Sequence, residues 1–377
     1  MAILGALQRD LAALDAIGRR RSLAPCRGLD FSSNDYLGLA ASARLGQAAA
    51  DAVARGVPVG SGGSRLLRGN SEEHERLEDE AARFFGSDTA LFVGGGYGGN
   101  ALLFSTLPQR GDLVVHDTLI HASAHEGMGQ GRAERAAFAH NDVGAAADAI
   151  AGWRRRGGTG TPWIAVESLY SMDGDRAPLA EFAKLAEHHD AMLMIDEAHA
   201  TGVFGPDGRG LAADLDGREN VVVLRTCGKA LGCEGALVLA SATVRDFIVN
   251  RGRGFIFSTA PSPLIAAVVR DALRCLREEP ARRERLHDLV GVAARALAAI
   301  GLPASGSPIQ PVIIGDDRRT MAIAAAMQAA GFDVRGVRPP TVPPGSARLR
   351  LSLTLNVEEA DVAALAAALA HVLETMS

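Results

Sequence analysis

The sequence predicts an α/β protein in which a mostly parallel sheet, covered by helices on both faces, is followed by a smaller α+β domain. Between residues 90 and 240, short β-branched runs alternate with amphipathic segments, a pattern typical of parallel sheets. Beyond residue 265 long helical segments dominate. With 377 residues and 47% apolar composition, the chain can also bury more than one core. We expect an N-terminal helix and segment at 1–45, a large domain at 46–265 and a small domain at 266–377.

The first segment of the chain, MAILGALQRDLAALDAIGRRRSL, is amphipathic and ends in Arg19, Arg20 and Arg21. We expect an ordinary first helix with these cations in its last turn, where they favour the negative end of the helix dipole. A mitochondrial presequence is the alternative interpretation. Asp10 and Asp15 weigh against it, because such segments are poor in acidic residues.

Six apolar runs predict the strands of the large domain. They are ALFV (90–93), DLVVHD (112–117), WIAVES (163–168), AMLMID (191–196), NVVVLRT (220–226) and GALVLA (235–240). Eight residues separate the last two runs, which is too few for a crossover helix. We therefore expect GALVLA to run antiparallel to the strand before it.

The small domain is predicted from four helical segments (264–278, 281–300, 320–331 and 358–375) and two strands, PVIIGD (311–316) and RLRLSLT (348–354). In open α/β sheets, ligands bind outside the carboxyl ends of the strands. The residues expected to carry chemistry therefore follow the strand runs of the large domain, at 94–100, 117–121, 168–173, 196–199 and 226–229.

Charge and cysteine content exclude several classes of partner. The 39 basic and 44 acidic residues are mixed along the chain and give a net charge of −5, so no basic footprint for nucleic acid or an anionic membrane is present. No uncharged apolar stretch reaches the roughly 18 residues of a membrane span. The four cysteines lack CxxC spacing and are too few for a disulfide scaffold. We expect a soluble cytoplasmic protein that binds no metal.

The segment GGGYGG (94–99) follows a strand, opens a helix and matches GxGxxG through Gly94, Gly96 and Gly99. With Asp117 eighteen residues after Gly99, this is formally a dinucleotide fingerprint. A glycine-rich turn at a helix start also binds a single phosphate, because its N–H groups point at the anion. The single phosphate is the better interpretation, because about ninety residues precede the turn and the fingerprint normally opens its domain.

The segment IDEAHATG (195–202) places Asp196 at the end of an apolar strand, with His199 three residues later. A helicase assignment fails because the sequence has no GxxxxGK[ST] loop, and a metal site fails because no third ligand has suitable spacing. A capping Asp with a satisfied His is the structural alternative. The pair also suits a heteroaromatic ring held by a carboxylate and an imidazole.

Lys229 lies in TCGKALG, after a strand and between Gly228 and Gly232, which leave room around its amine. A strand-end lysine, a strand-end carboxylate and a phosphate-binding turn together match the requirements of pyridoxal 5′-phosphate (PLP). Lys229 would form the Schiff base and act as acid and base at the substrate α-carbon, and Asp196 would keep the ring nitrogen protonated. Within HDTLIHASAHEGM (116–128), His121 is the histidine that we expect on the face of the cofactor ring.

Seven motifs resemble, in order and spacing, those of the α-oxoamine synthases, PLP enzymes that condense an amino acid with an acyl-CoA and release carbon dioxide. The motifs are FSSNDYLGL (31–39), GSGGSRLLRGN (60–70), HDTLIHAS (116–123), ESLYSMDGD (167–175), IDEAHATGVFGPDGRG (195–210), TCGKALG (226–232) and RPPTVPPGSARLRLSLT (338–354). The resemblance implies a PLP-dependent transferase of fold type I, with a seven-stranded sheet in its large domain, that works as a homodimer.

Within the family, SSNDYLGL, AHNDV (139–143) and RPPTVP favour the members that join L-alanine to a pimeloyl thioester in biotin synthesis, with the thioester on CoA or on a carrier protein. Sibling activities remain open: glycine with acetyl-CoA, glycine with succinyl-CoA, or serine with a long-chain acyl-CoA. Two alternatives come from other classes of protein. The interpretation as a nicotinamide-dependent oxidoreductase is based on the glycine turn alone. A PLP-binding regulator is the other alternative, and the absence of a basic DNA-binding segment from this sequence weighs against it.

The resemblance also assigns roles to individual residues. It makes Lys229 the Schiff-base lysine, Asp196 the partner of the ring nitrogen, His199 the partner of the ring's phenolic oxygen and His121 the stacking residue. It places Gly95, Gly96, Tyr97 and Thr226 at the phosphate, Glu167 and Ser171 in the pocket, and Ser258 and Thr259 at the partner subunit's site. Arg350 and Asn34 would bind the substrate, Arg350 through its carboxylate, with Arg338 and Arg348 contacting acyl or CoA groups.

Three departures from the family pattern stand out. Gly95 replaces the usual serine of the phosphate turn, so one hydroxyl contact is lost. Cys233 and Glu234 occur where small or polar residues are common. Gly98 and Gly99 replace bulkier residues, which predicts a less rigid helix opening.

Overall fold

The computed structural model describes residues 3–376 and contains the following elements in chain order. The helices are α1 (Gly5–Ala16), α2 (Ala43–Ala54), α3 (Glu72–Phe85), α4 (Gly96–Thr106), α5 (Ala122–Gln130), α6 (Val143–Arg155), α7 (Leu179–His188), α8 (Ala242–Arg251), α9 (Arg253–Ile256), α10 (Pro263–Glu278), α11 (Pro280–Ala299), α12 (Asp317–Ala329) and α13 (Glu359–Thr375). The strands are β1 (Leu29–Asp30), β2 (Thr89–Val93), β3 (Leu113–Asp117), β4 (Glu134–Phe138), β5 (Pro162–Glu167), β6 (Met192–Asp196), β7 (Val221–Thr226), β8 (Ala236–Ala240), β9 (Ile309–Gly315), β10 (Phe332–Asp333), β11 (Arg335–Val337) and β12 (Ala347–Ser352).

A seven-stranded sheet forms the larger of two compact units, which comprises residues 35–171 and 175–284. The strand order is β2-β8-β7-β6-β5-β3-β4, and every neighbouring pair is parallel except the two that involve β8. The prediction of a mostly parallel seven-stranded sheet is confirmed, as is the antiparallel direction of GALVLA relative to the strand before it.

All six predicted strand runs form strands because each is an apolar run that the sheet buries. The predictions omitted β4, whose sequence ERAAF lies at the edge of the sheet and is mostly exposed. An edge strand pairs on one side only, so its sequence does not need the continuous apolar character of a central strand.

The carboxyl ends of the parallel strands meet at one edge of this sheet, and the turns that follow β2, β3, β5, β6 and β7 lie there. The neighbouring strands β5 and β6 illustrate how the strand ends align, because their last residues, Glu167 and Asp196, lie directly opposite each other. The candidate residues of the larger unit are therefore grouped by topology, as the rule for open α/β sheets predicts.

The smaller unit comprises residues 3–34, 172–174 and 285–376. It contains an antiparallel sheet of order β11-β12-β9 and a short parallel pair of β1 with β10. Apolar residues of α11, α12 and α13 pack on this sheet around Phe31, Leu349 and Leu351. The two predicted strands and four predicted C-terminal helices all form, each within about three residues of its expected limits.

The predicted domain boundary at 265/266 falls inside α10, which lies wholly in the larger unit and packs against α2 and α3. The compact units divide instead at 284/285, within α11, and at 34/35 rather than at 45/46. The expected last-turn position of Arg19, Arg20 and Arg21 is also corrected, because α1 ends at Ala16 and Gly18 has a left-handed φ of 69°.

Candidate functional site

The glycine turn that follows β2 forms the start of α4, with Gly95 at its N-cap position and no side-chain cap hydrogen bond there. A Cβ atom added at Gly96 would lie 3.3 Å from Thr226 Oγ1, so the absence of a side chain lets the turn and the end of β7 approach closely. The unpaired N–H groups of a helix start and a threonine hydroxyl beside them suit a phosphate group.

Asp196 ends β6, and both of its carboxylate oxygens receive hydrogen bonds. Oδ1 accepts from the backbone N–H of Ala198 at 2.9 Å, and Oδ2 accepts from Asn100 Nδ2 at 2.6 Å. Asn100 is buried at the start of the second turn of α4, the same helix whose start forms the glycine turn. The helix that begins at the glycine turn therefore also orients the strand-end carboxylate.

His121 is the N-cap residue of α5, and its ring is oriented by Ser123. Its Nδ1 lies 2.7 Å from Ser123 Oγ, which in turn accepts a hydrogen bond from Asn100 Nδ2 at 2.9 Å. The backbone N–H of Ser123 also donates to Nδ1 at 3.2 Å, so Nδ1 is an acceptor, the Ser123 hydroxyl donates to it, and the ring is neutral with its proton on Nε2. Tyr97 contacts His121 edge to face, with ring centroids 6.3 Å apart.

The electrostatics of His121 agree with a neutral ring. His121 is exposed, but the protein around it still removes part of its hydration, and this desolvation lowers the pKa of His121. The negative charge of Asp196 opposes this shift, and the positive charge of Lys229 reinforces it. Both charges act on His121 because the three side chains share one site.

Lys229 lies in the connection between β7 and β8, as the sequence predicts, and is half-buried. The connection is closed by backbone hydrogen bonds from Cys227 to Gly235, from Cys233 to Cys227 and from Gly232 to Lys229. Gly232 has a φ of 63°, and a Cβ atom there would lie 2.5 Å from the backbone nitrogen of Ala40. This turn therefore requires glycine, and it fixes the path of the chain at the lysine.

Glu167 ends β5 and is 2% exposed. Its Oε2 accepts from the backbone N–H of Ser171 at 3.1 Å, and its Oε1 has no hydrogen-bond partner among the described residues. Burial raises the pKa of Glu167 well above its usual range, and the neighbouring carboxylate of Asp196 adds to the increase. The structure thus places two carboxyl groups opposite each other at adjacent strand ends, and one of them, Glu167, has a raised pKa.

His199 is buried in the turn after β6, and its Nδ1 lies 2.6 Å from the hydroxyl of the fully buried Tyr36. Sequence reasoning missed Tyr36, Asn100 and Ser123 as orienting residues. Tyr36 and Ser123 stood inside motifs that had been singled out, and Asn100 directly follows the glycine turn. No sequence signal marked their partners, because those partners lie 163, 96 and 23 residues away.

Ser258 and Thr259 follow α9 and are exposed on the larger unit, next to Phe257. The predicted substrate residues lie in the smaller unit. There Arg350 donates to Asn34 Oδ1 at 3.0 Å and to Ser352 Oγ at 2.6 Å.

The other two predicted substrate residues are also buried in the smaller unit. Arg348 forms an ion pair with Asp173 and donates to the backbone carbonyl of Met172. Arg338 donates to the backbone carbonyl of Arg20 at 2.9 Å, and its Nε has no partner among residues 3–376.

The residues of the larger unit fit PLP by their chemistry. A helix start with a glycine at Gly96 suits the phosphate, the fixed carboxylate of Asp196 suits a protonated ring nitrogen, and Lys229 supplies an amine. The unpartnered oxygen of the buried Glu167 also implies that a polar group completes this site. In the part of the chain that the structure describes, no three His, Cys, Asp or Glu side chains are grouped to hold a metal ion. None of its helices is long and apolar enough to cross a membrane.

Comparison with known proteins agrees with this chemistry. Residues 27–369 match the family described as aminotransferase class I and II. The 8-amino-7-oxononanoate synthase of Anaeromyxobacter dehalogenans (strain 2CP-1) is 42% identical, with 97% of this chain and 94% of the relative aligned. The 8-amino-7-oxononanoate synthase of Burkholderia thailandensis is 41% identical, with 99% of each chain aligned. The solved serine palmitoyltransferase variant from S. paucimobilis with bound PLP–myriocin aldimine is 25% identical, with a TM-score of 0.88 over 100% of this chain and 98% of that chain.

Proposed function

Because the chain belongs to the class I and II aminotransferase family, and within it to the α-oxoamine synthases, we propose that it makes 8-amino-7-oxononanoate for biotin synthesis. The substrates are L-alanine and a pimeloyl thioester, carried by CoA or by a carrier protein, and the other products are the released thiol and carbon dioxide. The observation that carries the proposal is the similarity over 97% to 99% of the chain to enzymes of that name.

Pyridoxal 5′-phosphate is the cofactor, and when bound it supplies an electron sink for negative charge at the α-carbon of the amino acid. Four groups of residues would hold it. They are Gly95, Gly96, Tyr97 and Thr226 at the phosphate; Asp196 and His199 at the ring nitrogen and phenolic oxygen; His121 on the ring face; and Lys229, Glu167 and Ser171 around the reacting end. The neutral state of His121 supports its position against an aromatic face, since it adds no charge there.

Two of these residues act on protons. Asp196, oriented by Asn100 and by the backbone of Ala198, holds the proton of the ring nitrogen. Lys229 Nζ removes the proton from the α-carbon of alanine and later returns one to it. The close glycine turn around Lys229 supports this role, because proton transfer requires a fixed approach of the amine to the carbon.

Arg350 binds the carboxylate of alanine with its guanidinium fork. Support comes from its burial and from the hydrogen bonds to Asn34 and Ser352, which hold the fork in one orientation. Arg338 and Arg348 contact the acyl or CoA groups. The unpartnered Nε of the buried Arg338 supports an anionic contact there, because a buried N–H without an acceptor is costly.

The enzyme works as a homodimer. Phe257 is 71% exposed and Phe247 is 37% exposed, and both line an open cleft of about 770 Å³ on the larger unit. Exposed aromatic rings grouped on one cleft favour burial by another protein surface, and a second copy supplies a symmetric one. Ser258 lines the same cleft, which agrees with its predicted role at the partner subunit's site. Light scattering of the purified protein tests the dimer.

We place the enzyme in the cytoplasm. All four cysteines are unpaired, and Cys227 and Cys275 are buried. A reducing compartment keeps such thiols reduced.

The decisive experiment measures thiol release when a panel of acyl-CoAs is offered with alanine, glycine or serine. We expect pimeloyl-CoA with alanine to give the highest rate. The chain contains two lysines, Lys184 and Lys229. Lys229→Ala should abolish thiol release. It should also abolish the covalent attachment of the cofactor to the protein after borohydride reduction, which is measured as added mass. The matched control is Lys184→Ala, on the exposed face of α7. Cofactor mass on neither lysine would contradict the proposal.

A serine palmitoyltransferase activity is the second candidate, because structures of that enzyme superpose on the chain with a TM-score of 0.88. Highest release with serine and a long-chain acyl-CoA would establish this activity and overturn the biotin assignment. It would leave the cofactor and the role of Lys229 unchanged.

A further inference from the structure

His140 lies two residues beyond the end of β4 and is hydrogen-bonded to a carboxylate at each ring nitrogen. Its Nδ1 is 3.0 Å from Asp117 Oδ1, and its Nε2 is 2.8 Å from Asp175 Oδ2. Asp117 is fully buried at the end of β3, and Asp175 lies in the connection between β5 and α7. Carboxylates accept hydrogen bonds at both nitrogens, so the imidazole donates twice and is cationic. A cation thus joins the end of β3, the segment after β4 and the connection after β5.

Asn141 binds the same two carboxylates. Its backbone N–H donates to Asp117 Oδ2 at 2.7 Å, and its side-chain Nδ2 donates to Asp175 Oδ2 at 2.8 Å. The residue has a φ of 56°, in the left-handed region that asparagine tolerates better than most residues. The pair His140 and Asn141 is therefore shaped as a unit around Asp117 and Asp175.

The charge state of His140 agrees with this geometry. Burial opposes protonation, but the hydrogen bonds and charges of Asp117 and Asp175 outweigh it and raise the pKa of His140 to about 10. The same contacts outweigh the burial of Asp117 and lower the pKa of its carboxyl group. His140 is consequently an imidazolium throughout the physiological range.

The carboxylate of Asp117 also shapes the turn that presents His121. Oδ1 of Asp117 accepts from the backbone N–H of Leu119 at 2.7 Å. The backbone carbonyl of Asp117 accepts from the N–H of Ile120 at 3.2 Å. His121 follows at once as the N-cap residue of α5. A displacement of the Asp117 side chain therefore changes the start of the segment that ends in His121.

The second carboxylate is tied to the segment that presents Glu167 and Ser171. The backbone carbonyl of Asp175 accepts from the N–H of Tyr170 at 2.9 Å, directly beside Ser171. The ring of Tyr170 packs edge to face on His140, with centroids 4.4 Å apart. The segments that contain His121 and Ser171 are therefore connected through His140.

We propose that His140 is a positioning residue: held between Asp117 and Asp175, it fixes the two segments that present His121 and Ser171 to the bound cofactor. The inference rests on the proposed function for the identity of the reaction. The contacts of His140 do not depend on that function. The contacts of His140 are with Asp117, Asp175 and Tyr170, so we expect its effect to be on the orientation of these segments. A displacement of about 1 Å in a catalytic group can cost on the order of a hundredfold in rate, so loss of the cluster should lower kcat.

The test compares His140→Gln, Asp175→Asn and the double variant with wild type and with His188→Ala, a control that removes an exposed histidine at the end of α7. In the protein without cofactor, we expect amide hydrogen exchange at 118–121 and 168–171 to rise by about tenfold in each single variant. Exchange in α7 should not change. The double variant should resemble the worse single variant, because both substitutions break one shared interaction.

With cofactor bound, we expect kcat to fall by about tenfold and the KM for the amino acid to change by less than about threefold. The circular dichroism of the cofactor absorption band should lose about half its amplitude, because it reports the orientation of the ring. The control should match wild type in all three measurements.

Unchanged hydrogen exchange and circular dichroism in Asp175→Asn would overturn the proposal, even if the protein were less stable. If His140→Gln fails to fold, Asp175→Asn decides, because that side chain is partly exposed and the amide has the same shape. If wild type gives no thiol release with alanine and pimeloyl-CoA, the proposed function fails. Hydrogen exchange and circular dichroism then still decide the role of His140.

Discussion

Asn100 Nδ2 donates two hydrogen bonds, one to Asp196 Oδ2 at 2.6 Å and one to Ser123 Oγ at 2.9 Å. Through Ser123 the second bond reaches Nδ1 of His121. One buried amide therefore orients both the carboxylate assigned to the ring nitrogen and the imidazole assigned to the ring face. Asn100 adjoins the glycine turn, so it also couples these two groups to the turn that is assigned to the phosphate.

Asn100→Ala should weaken cofactor binding by about tenfold and lower kcat, because Asp196 and His121 both lose an orienting partner. Equilibrium dialysis of the cofactor and steady-state kinetics would measure the two effects. Gln47→Ala, which removes an exposed amide bonded to Asp51, should match wild type. Cofactor affinity equal to wild type in Asn100→Ala would show that these hydrogen bonds do not orient the site.

Glu167→Gln tests the raised pKa of the buried carboxyl group. A group whose pKa is raised by folding adds stability below its unfolded pKa, and this contribution is lost as the pH rises toward the folded value. The glutamine does not ionise, so the stability of Glu167→Gln relative to wild type should increase as the pH rises above about 4.5. Urea unfolding of the cofactor-free protein between pH 5 and 8 would measure the difference. A difference independent of pH would contradict the shift.

Gly127 and Gly129 in α5 give a matched pair of substitutions. A Cβ atom at Gly127 would lie 2.8 Å from Phe104 Cβ and 2.9 Å from the carbonyl oxygen of Asn100, whereas Gly129 faces mostly open space. Gly127→Ala should destabilise the protein by about 1–3 kcal/mol through overpacking. Gly129→Ala should stabilise it by about 0.5–1 kcal/mol, because alanine is the better helix former. Thermal unfolding would compare them, and equal effects would show that α4 and α5 do not pack this closely.

Arg225 is completely buried between two carboxylates, with Nη1 2.9 Å from Glu197 Oε2 and Nη2 2.7 Å from Asp216 Oδ2. Its guanidinium also lies 4.2 Å from the centre of the Phe85 ring. Arg225→Met should cost about 3–5 kcal/mol, because two buried carboxylates lose their counter-charge. Asp196 and Thr226, which are adjacent in sequence to Glu197 and Arg225, belong to the candidate site.

The matched control for Arg225→Met is Arg218→Met, which breaks an exposed ion pair with Glu187 and should cost less than about 1 kcal/mol. Urea unfolding of both variants would provide the comparison. A similar loss in the free energy of unfolding for the two substitutions would mean that apolar packing of the methionine compensates for the lost ion pairs of Arg225.

The sequence by itself determined the architecture of the larger unit and the positions of its main candidate residues. The apolar runs that end at Asp117, Asp196 and Thr226 specify buried parallel strands, because strands covered on both faces need continuous apolar residues. The topology of such a sheet then brings the strand ends together, so Asp196 and the Lys229 segment could be placed on one edge without coordinates. The roles assigned to these residues in the reaction stay predictions that the experiments above test.

The tertiary structure alone decided which side chains hold these residues in place. Asn100 with Asp196, Tyr36 with His199, and His140 with Asp117 and Asp175 are contacts between segments far apart in sequence. The local hydrophobic pattern of the sequence does not predict such pairs, because each pair depends on how helices and turns pack once the sheet has formed. The edge strand β4 and the division of the chain within α11 were missed for the same reason: both depend on which surfaces remain uncovered or in contact after folding.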